Sequence, residues 1–410
     1  MELIKLKYLV DIPVKTGASQ EALDYDPQKI RYIRISDFDK TGNLKDELKA
    51  SIEISDGEKF KLKNDDILIA VTGGTVGKSM MFNCPNNEPS CYAGYLARVR
   101  PELSKLDPKY LYFYLNSPFF DRFKAENMTK STMENISASK YANMLIPWIE
   151  LKAQRALVAY LESKTNEINR LIDLQDRQIL TLLSFKFSKM FQKICYGIDD
   201  ANESKKTNIS YIPEVNKNFA ISHISDLFTI IKDIIGKETQ DVLSITQNGI
   251  IKKDLLSNNG QLAKSYSKYQ IVREGDFAMN HMDLLTGWID ISRYDGVTSP
   301  DYRVFRIKDK NQCSKYYLYL FQCYYKFKVF YGFGQGVSHF GRWRLPASNF
   351  YSVSVPSPDY QTQSEIVEYI DGLSSNVDKI VEIKKEKIER LEEYKQSIIF
   401  DAFNRAIKEN

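Results

Sequence analysis

At 410 residues, 43% hydrophobic and 27% charged, the chain is long enough for two ordinary domains and too apolar for wholesale disorder. A net charge of +4, from 57 basic and 53 acidic groups, excludes a protein whose overall basicity announces nucleic acid, so any such binding must rest on local clusters or on partners. No apolar run reaches the roughly 18 residues of a membrane span, and the opening MELIKLKYLVDIPVK alternates apolar residues with Lys and Asp, unlike a secretory signal, so cytoplasm is the default expectation.

Residues 1–145 read as a β-rich region. KIRYIRIS from Lys29 alternates like a strand, and LKNDDILIAVTGGTVGKS from Leu62 joins a charged turn to an apolar strand. The stretch Thr72 to Ser79 comes close to a P-loop, yet Thr72 stands where the first Gly is needed. The SMMFNCPNNEP that follows is a poor helix, whereas a P-loop opens one, so a strand-connecting turn is predicted. A Tyr-rich helical segment from Tyr110 and a Ser/Thr-rich loop from Met128 complete the region.

Residues 146–198 change character. After Pro147, Leu157, Leu161, Ile168, Leu171, Ile179 and Leu182 recur at spacings that are sums of three and four, with charges between them and no Pro or Gly until Gly197. That pattern predicts a long helix whose narrow apolar seam suits a coiled coil. A polar linker is expected at 199–211. Residues 212–354 then repeat the β-rich pattern, with VREGDFAMNHMDLLTGWIDI from Val272, YRVFRIK from Tyr302, a Tyr-rich segment from Tyr316 and the loop GFGQGVSHF from Gly332. Residues 355–408 repeat the helix, with a seam of Ile370, Leu373, Val377, Ile380, Ile388, Leu391 and Ile398. The 26 Tyr and 22 Phe are expected mainly to pack the β-rich cores.

The chain is therefore read as a duplication. Pro147 meets Pro356, Gln154 meets Gln363, Val158 meets Val367, Tyr160 meets Tyr369 and Phe191 meets Phe400, each pair 209 residues apart. Asp66 meets Asp276 in the charged turns.

Catalytic and metal patterns are missing. The five cysteines and three histidines are scattered, with neither a C-x-x-C nor an H-E-x-x-H pattern. The sequence holds no adenine-methyltransferase motif, no dinucleotide fingerprint and no nucleophile elbow, and PDYRVFRIK from Pro300 lacks the second carboxylate of a nuclease. No cofactor, no metal and no catalytic residue is expected.

Two β-rich regions, each followed by a helix that opens on a Pro and a Gln-centred turn, resemble the specificity subunits of type I restriction-modification systems. The resemblance is carried by IPWIELKAQRALVAYLES from Ile146 and VPSPDYQTQSEIVEYIDG from Val355, and by the runs Asp65 to Ile69 and Gly275 to Met279. This sequence departs from the family pattern at Trp148 and Glu150, where a second proline is usual, and in having only Gly287 for the second glycine turn. The resemblance implies an α+β fold of two β-rich target-recognition domains in tandem, each followed by a long helix. The two helices would form an antiparallel coiled coil with pseudo-twofold symmetry. It also implies a non-catalytic subunit that reads double-stranded DNA and positions two methyltransferase subunits and restriction/translocase subunits. The assembled complex would be a DNA adenine methyltransferase and ATP-dependent endonuclease. Because the two β-rich regions share little identity outside this framework, a bipartite, asymmetric target is expected.

Candidate DNA contacts are loop donors and aromatics: Lys78, Ser79, Lys130, Ser131 and Thr132 in the first region. In the second they are Asn280, His281, Gln335, Ser338, His339, Arg342, Trp343 and Arg344, since Asn and Gln pair with adenine and Arg with guanine. The rival reading is a coiled-coil scaffold without sequence recognition, which predicts no salt-dependent DNA binding.

Overall fold

The computed structural model describes residues 2–38, 42, 44–45, 47, 49–84, 86, 88–128, 134–199, 203–255, 263–336 and 343–409. The chain divides into two compact units, Met1–Gln175 with Lys385–Asn410, and Asp176–Lys384. Both divisions fall inside the long helices Leu151–Tyr196 and Tyr360–Glu409, so each unit contains part of both.

In the first unit an antiparallel sheet runs in the order Lys15–Thr16, Leu96–Val99, Ile67–Ala70 and Ser79–Met81. A second sheet orders Leu23–Asp24, Ala50–Ile52, Ile30–Ile33 and Ser90–Tyr92, the last two parallel. The second unit repeats the first sheet as Phe228–Ile231, Arg303–Ile307, Phe277–Met279 and Ile289–Ile291. Each unit also ties the start of its β-rich part to its end: Glu2–Lys5 pairs with Leu145–Trp148, and Ala220–His223 with Ser354–Ser357. The residues around Pro147 and Pro356 are thus the last strand of each β-rich part, and the helices begin only at Leu151 and Tyr360.

The segment expected as a bare linker holds a strand. Ser204–Ile209 pairs antiparallel with Ile212–Asn216, and Ile212 and Val215 are buried while most of the first strand's side chains face solvent. A polar composition is what an edge strand with one wet face needs, so it reads like a linker.

Two buried glutamines, Gln154 and its repeat Gln363, hold strand, loop and helix together. Gln154 accepts the Asp107 N–H at 2.8 Å and donates to the carbonyls of Lys105 and Ile149. Gln363 accepts the Cys313 N–H at 2.7 Å and donates to Pro358 O and Gln312 Oε1. An amide side chain can both donate and accept, so one residue satisfies backbone groups of two elements at once.

The helices carry the same contacts twice. In the second unit Lys186 Nζ donates to Asp378 Oδ1 at 2.8 Å; in the first, Lys395 Nζ donates to Asn169 Oδ1 at 3.2 Å. These are one contact and its repeat, since Lys395 lies 209 residues after Lys186 and Asp378 lies 209 after Asn169. In the second unit the helix segments run antiparallel: Gln178 meets Lys384 while Lys186 meets Asp378. The buried seam passes through Val158, Leu161, Thr165, Ile168 and Gln175, a heptad succession that places Ile172 on the seam. Leu171, assigned to the seam from sequence, is 42% exposed, and so is its repeat Ile380, with Val381 buried in its place. The other expected seam residues are buried or half-buried: Leu157, Leu161, Ile168, Ile179, Leu182, Ile370, Leu373, Val377, Ile388, Leu391 and Ile398.

The aromatics pack the cores as expected, and the tyrosines keep their hydroxyls bonded. Phe228 contacts Phe277, Phe305, Tyr317 and Phe321, while Tyr324 donates to Ser354 O at 2.8 Å and Tyr110 to Pro147 O at 2.6 Å. Burial raises the hydroxyl pKa of Tyr324 well above its ordinary value, so it acts here as a neutral donor.

At the charged turns, Gly275 has φ of +88° and Asp65, one residue before Asp66, has φ of +69°. Nothing stands within 4 Å of a Cβ built at Gly275, so a side chain there meets only the backbone penalty. Gly275→Val should therefore cost about 1–2 kcal/mol and Gly275→Asn much less. Urea midpoints of the two variants check this; equal midpoints would contradict it.

Candidate nucleic-acid interface

Each unit brings a hairpin and a returning loop to one place. In the first unit the TGGTVGKS stretch turns between the antiparallel strands Ile67–Ala70 and Ser79–Met81, with no helix after it, as the missing P-loop glycine predicts. Residues 134–136 lie beside this turn, where Ile136 N–H donates to Val71 O at 3.0 Å and Gly73 N–H to Glu134 O at 3.1 Å. Lys78 is exposed on the hairpin. Ser79 is buried instead, and its hydroxyl accepts from Asn116 Nδ2 at 2.9 Å, so this side chain is committed to the interior. Lys130, Ser131 and Thr132 lie outside the described residues.

The second unit has the same stitch with different chemistry. Leu345 N–H donates to His281 O at 2.9 Å, which makes His281 the counterpart of Val71 and Leu345 that of Ile136. Gln335 and Arg344 exchange backbone hydrogen bonds of 2.8 and 3.2 Å, closing the base of the loop between them. Ser338, His339 and Arg342 belong to that loop and lie outside the described residues.

Extended backbone alternates its side chains, so the two segments joined here have two faces. Asn280 and Trp343 line a cleft of about 980 Å³ together with Tyr302, Tyr331, Asp283 and Asp301. His281 and Arg344 line a different cleft of about 690 Å³, with Arg303 and Lys232. The first cleft is aromatic and acidic in part; the second contains no carboxylate among its described lining residues.

Trp343 stacks on Tyr331 with ring centroids 5.2 Å apart and donates its indole N–H to Tyr331 O at 2.7 Å. The Gly-rich loop is shaped around it: a Cβ at Gly334 would fall 2.4 Å from Trp343 Nε1 and one at Gly336 would fall 2.9 Å from its ring. Flat exposed aromatic surface beside Asn280 suits contact with a base or sugar. Asn280 Oδ1 accepts from Met282 N–H at 3.2 Å.

The side chain that sequence reasoning missed is Arg303. It opens the strand RVFRI, pairs with Met279 and is 5% exposed. In YRVFRIK it occupies the alternation phase of Phe305 and Ile307. A charge on that apolar phase is the available signal, though alternation alone makes the segment an ordinary strand. Its Nη2 donates to Leu345 O at 2.8 Å and its guanidinium lies 4.8 Å over the Phe350 ring. Burial pushes its pKa down to about 10, and burial with the nearby Arg303 and Arg344 pushes the His281 imidazole down to about 3, so His281 is neutral at physiological pH.

Among the described residues no group of three or more His, Cys, Asp and Glu is placed to hold a metal. No helix among them is long and apolar enough to cross a membrane. The cysteines at 91 and 195 are buried, and that burial pushes both thiols up to about 12, so neither offers a thiolate.

A protein-family profile described as "Type I restriction modification DNA specificity domain" matches residues 1–179 and 216–393. Among curated proteins no sequence match is found. A structure reported under "Structural basis underlying complex assembly and conformational transition of the type I R-M system" is similar, with a TM-score of 0.62, 14% identity and coverage of 98% of this chain and 97% of that one. The HsdS subunit from Thermoanaerobacter tengcongensis aligns with a TM-score of 0.40 at 13% identity, over 98% and 96% of the two chains. The S subunit of a type I restriction-modification system from M. genitalium aligns with a TM-score of 0.36 at 12%, over 98% and 95%. The likeness of fold rests on the first of these.

Proposed function

We infer the division of labour in this molecule from its membership: the chain belongs to the type I restriction-modification DNA specificity family, and its role is that of the DNA-specificity subunit. It is a non-catalytic member of its complex, and nothing favours the scaffold alternative. Each β-rich region, 1–145 and 212–354, reads one half of a split target, and the long helices set the spacing between them. Two methyltransferase subunits and the restriction subunits assemble on this frame, in the cytoplasm. The holoenzyme so formed methylates adenine and cleaves DNA with ATP.

The observation that carries the bipartite reading is the doubled hairpin-and-loop stitch with unlike side chains. Val71 and Ile136 in one unit correspond to His281 and Leu345 in the other. Equal scaffolds with unequal readers favour two different half-sites, at a separation fixed by the frame that carries them. Lys78, Asn280, His281, Gln335, Trp343 and Arg344 are the described residues proposed to touch DNA.

The test is single-molecule methylation sequencing in a methylation-free host that carries this chain and its cognate methyltransferase subunit, against the same host without the chain. A new split, asymmetric motif is expected only with the chain. Two identical inverted half-sites would refute the asymmetric reading, and no new motif from an assembled, active complex would refute sequence recognition itself.

A further inference from the structure

The 690 Å³ cleft in the second unit holds an unusual concentration of uncompensated positive charge. Arg303 lies at its back, and its Nη1 atom is buried with no hydrogen-bond partner among the described residues. His281 Nδ1 is buried and unpartnered in the same way. Lys232 and Arg344, both exposed, add two cations from the rim, and the described lining includes neither Asp nor Glu. Gln270 lines the same cleft and donates its amide N–H groups to the carbonyls of Ser299 and Tyr302, at 3.0 and 2.7 Å, and Arg303 Nη1 has no acceptor among the described residues.

A buried guanidinium without a counter-charge costs stability unless something in the functioning molecule completes it. Its Nη1 N–H lacks an acceptor at the back of a cleft lined by two further cations, the combination that receives a tetrahedral oxyanion. The neighbouring aromatic cleft is a poor host for an anion, because Asp283 and Asp301 line it.

Among the described residues the first unit does not repeat these side chains at the matching positions. Ile69 pairs with Ala97 where Met279 pairs with Arg303, and Val71 stands where His281 stands. The charge is therefore a feature of one reader and not of the shared scaffold.

We propose that Arg303, His281, Lys232 and Arg344 form a phosphate-binding site specific to the second recognition region, and that it grips a backbone phosphate of the target duplex. The second clause rests on the DNA-reading role proposed above; the first does not. Phosphate contacts fix register without reading sequence, so these residues anchor the duplex at the second region.

Two arms test the site on the full-length chain. In the first, inorganic phosphate is titrated against wild type, Lys232→Gln and Arg303→Gln, with binding read by calorimetry and folding by the urea midpoint. Phosphate should bind wild type, bind Lys232→Gln more weakly and leave Arg303→Gln unbound. If Arg303→Gln does not fold, Lys232→Gln together with Arg344→Gln carries the test, since both residues are exposed. In the second arm, DNA affinity is measured against salt. Each of Lys232→Gln and Arg344→Gln should lower the slope of log K against log salt by about 1, equally on target and non-target duplexes.

Loss of phosphate binding with an unchanged DNA slope would uphold the anion site and overturn its assignment to DNA, leaving free phosphate as the source. Phosphate binding that is absent in wild type, or equal in all folded variants, would overturn the site. A wild-type chain that binds phosphate but no DNA would remove the DNA-reading role and leave the anion site standing.

Discussion

Phe403→Ala is expected to destabilise the first unit by about 3–5 kcal/mol, although it sits at the far end of the chain from the core it serves. Phe403 is fully buried in the core that contains Leu111, Tyr141, Ile146 and Leu161. Its ring lies 5.1 Å from that of Tyr110 and 5.9 Å from that of Tyr114, with Phe400 stacked on Phe119 one turn earlier. Removing it leaves a cavity under the Tyr-rich helix Pro108–Leu115, whose Tyr110 hydroxyl is bonded to Pro147 O. A loss of this size is a large part of an ordinary domain's stability. Limited proteolysis with mapped fragments is the measurement: cleavage should begin between residues 1 and 150 while the second unit stays protected. Its repeat in the second unit is Ile194, whose carbonyl accepts from the Tyr316 hydroxyl; Ile194→Ala should expose the second unit instead. Uniform cleavage in both variants would show that the helices do not serve the two cores separately.

The duplication, the strand-turn motifs and the long helices were legible because the same residues do the same work in both copies. Gln154 and Gln363 are conspicuous in sequence for a physical reason: only a buried amide bonds two elements in that way. The phase of the helix seam was less legible. Leu171 and Ile172 are both apolar, as are Ile380 and Val381, and local spacing cannot choose between neighbours. The choice is made by heptad continuity through Thr165 and Gln175, polar residues that an apolar count passes over. Ser79 departs from its sequence reading because a hydroxyl after a lysine in a turn looks available, whereas the strand that starts there turns it inward to Asn116. Arg303 escaped notice because its meaning depends on Leu345 and Phe350, over 40 residues away, and alternation alone cannot reveal that. The recognition loops are the least legible element, since their residues answer to a ligand and not to the fold.

The second large effect concerns the charged turns. Asp66 is 1% exposed and receives Arg100 through two bonds of 2.7 and 2.6 Å, while its other duty is to accept the Lys63 N–H at 2.8 Å. Asp276 repeats this with Arg306, at 2.6 and 2.9 Å, and with the Arg273 N–H at 2.9 Å. The two copies differ in where the guanidinium goes when released: Arg100 is 15% exposed and Arg306 is 47% exposed. An arginine left without its carboxylate is costly in proportion to its burial, so Asp66→Ala should cost about 3 kcal/mol or more and Asp276→Ala distinctly less. Arg100→Leu should be at least as damaging as Asp66→Ala, because it strands a carboxylate that is almost completely enclosed. Arg306→Leu is milder only if water can enter behind it to reach Asp276. Urea denaturation of the four single variants and the two double variants gives the coupling in each copy. A coupling equal in both would mean that exposure of the arginine does not set the strength of the pair, and that the turn, held by the bonds to Lys63 and Arg273, contributes most of the stability.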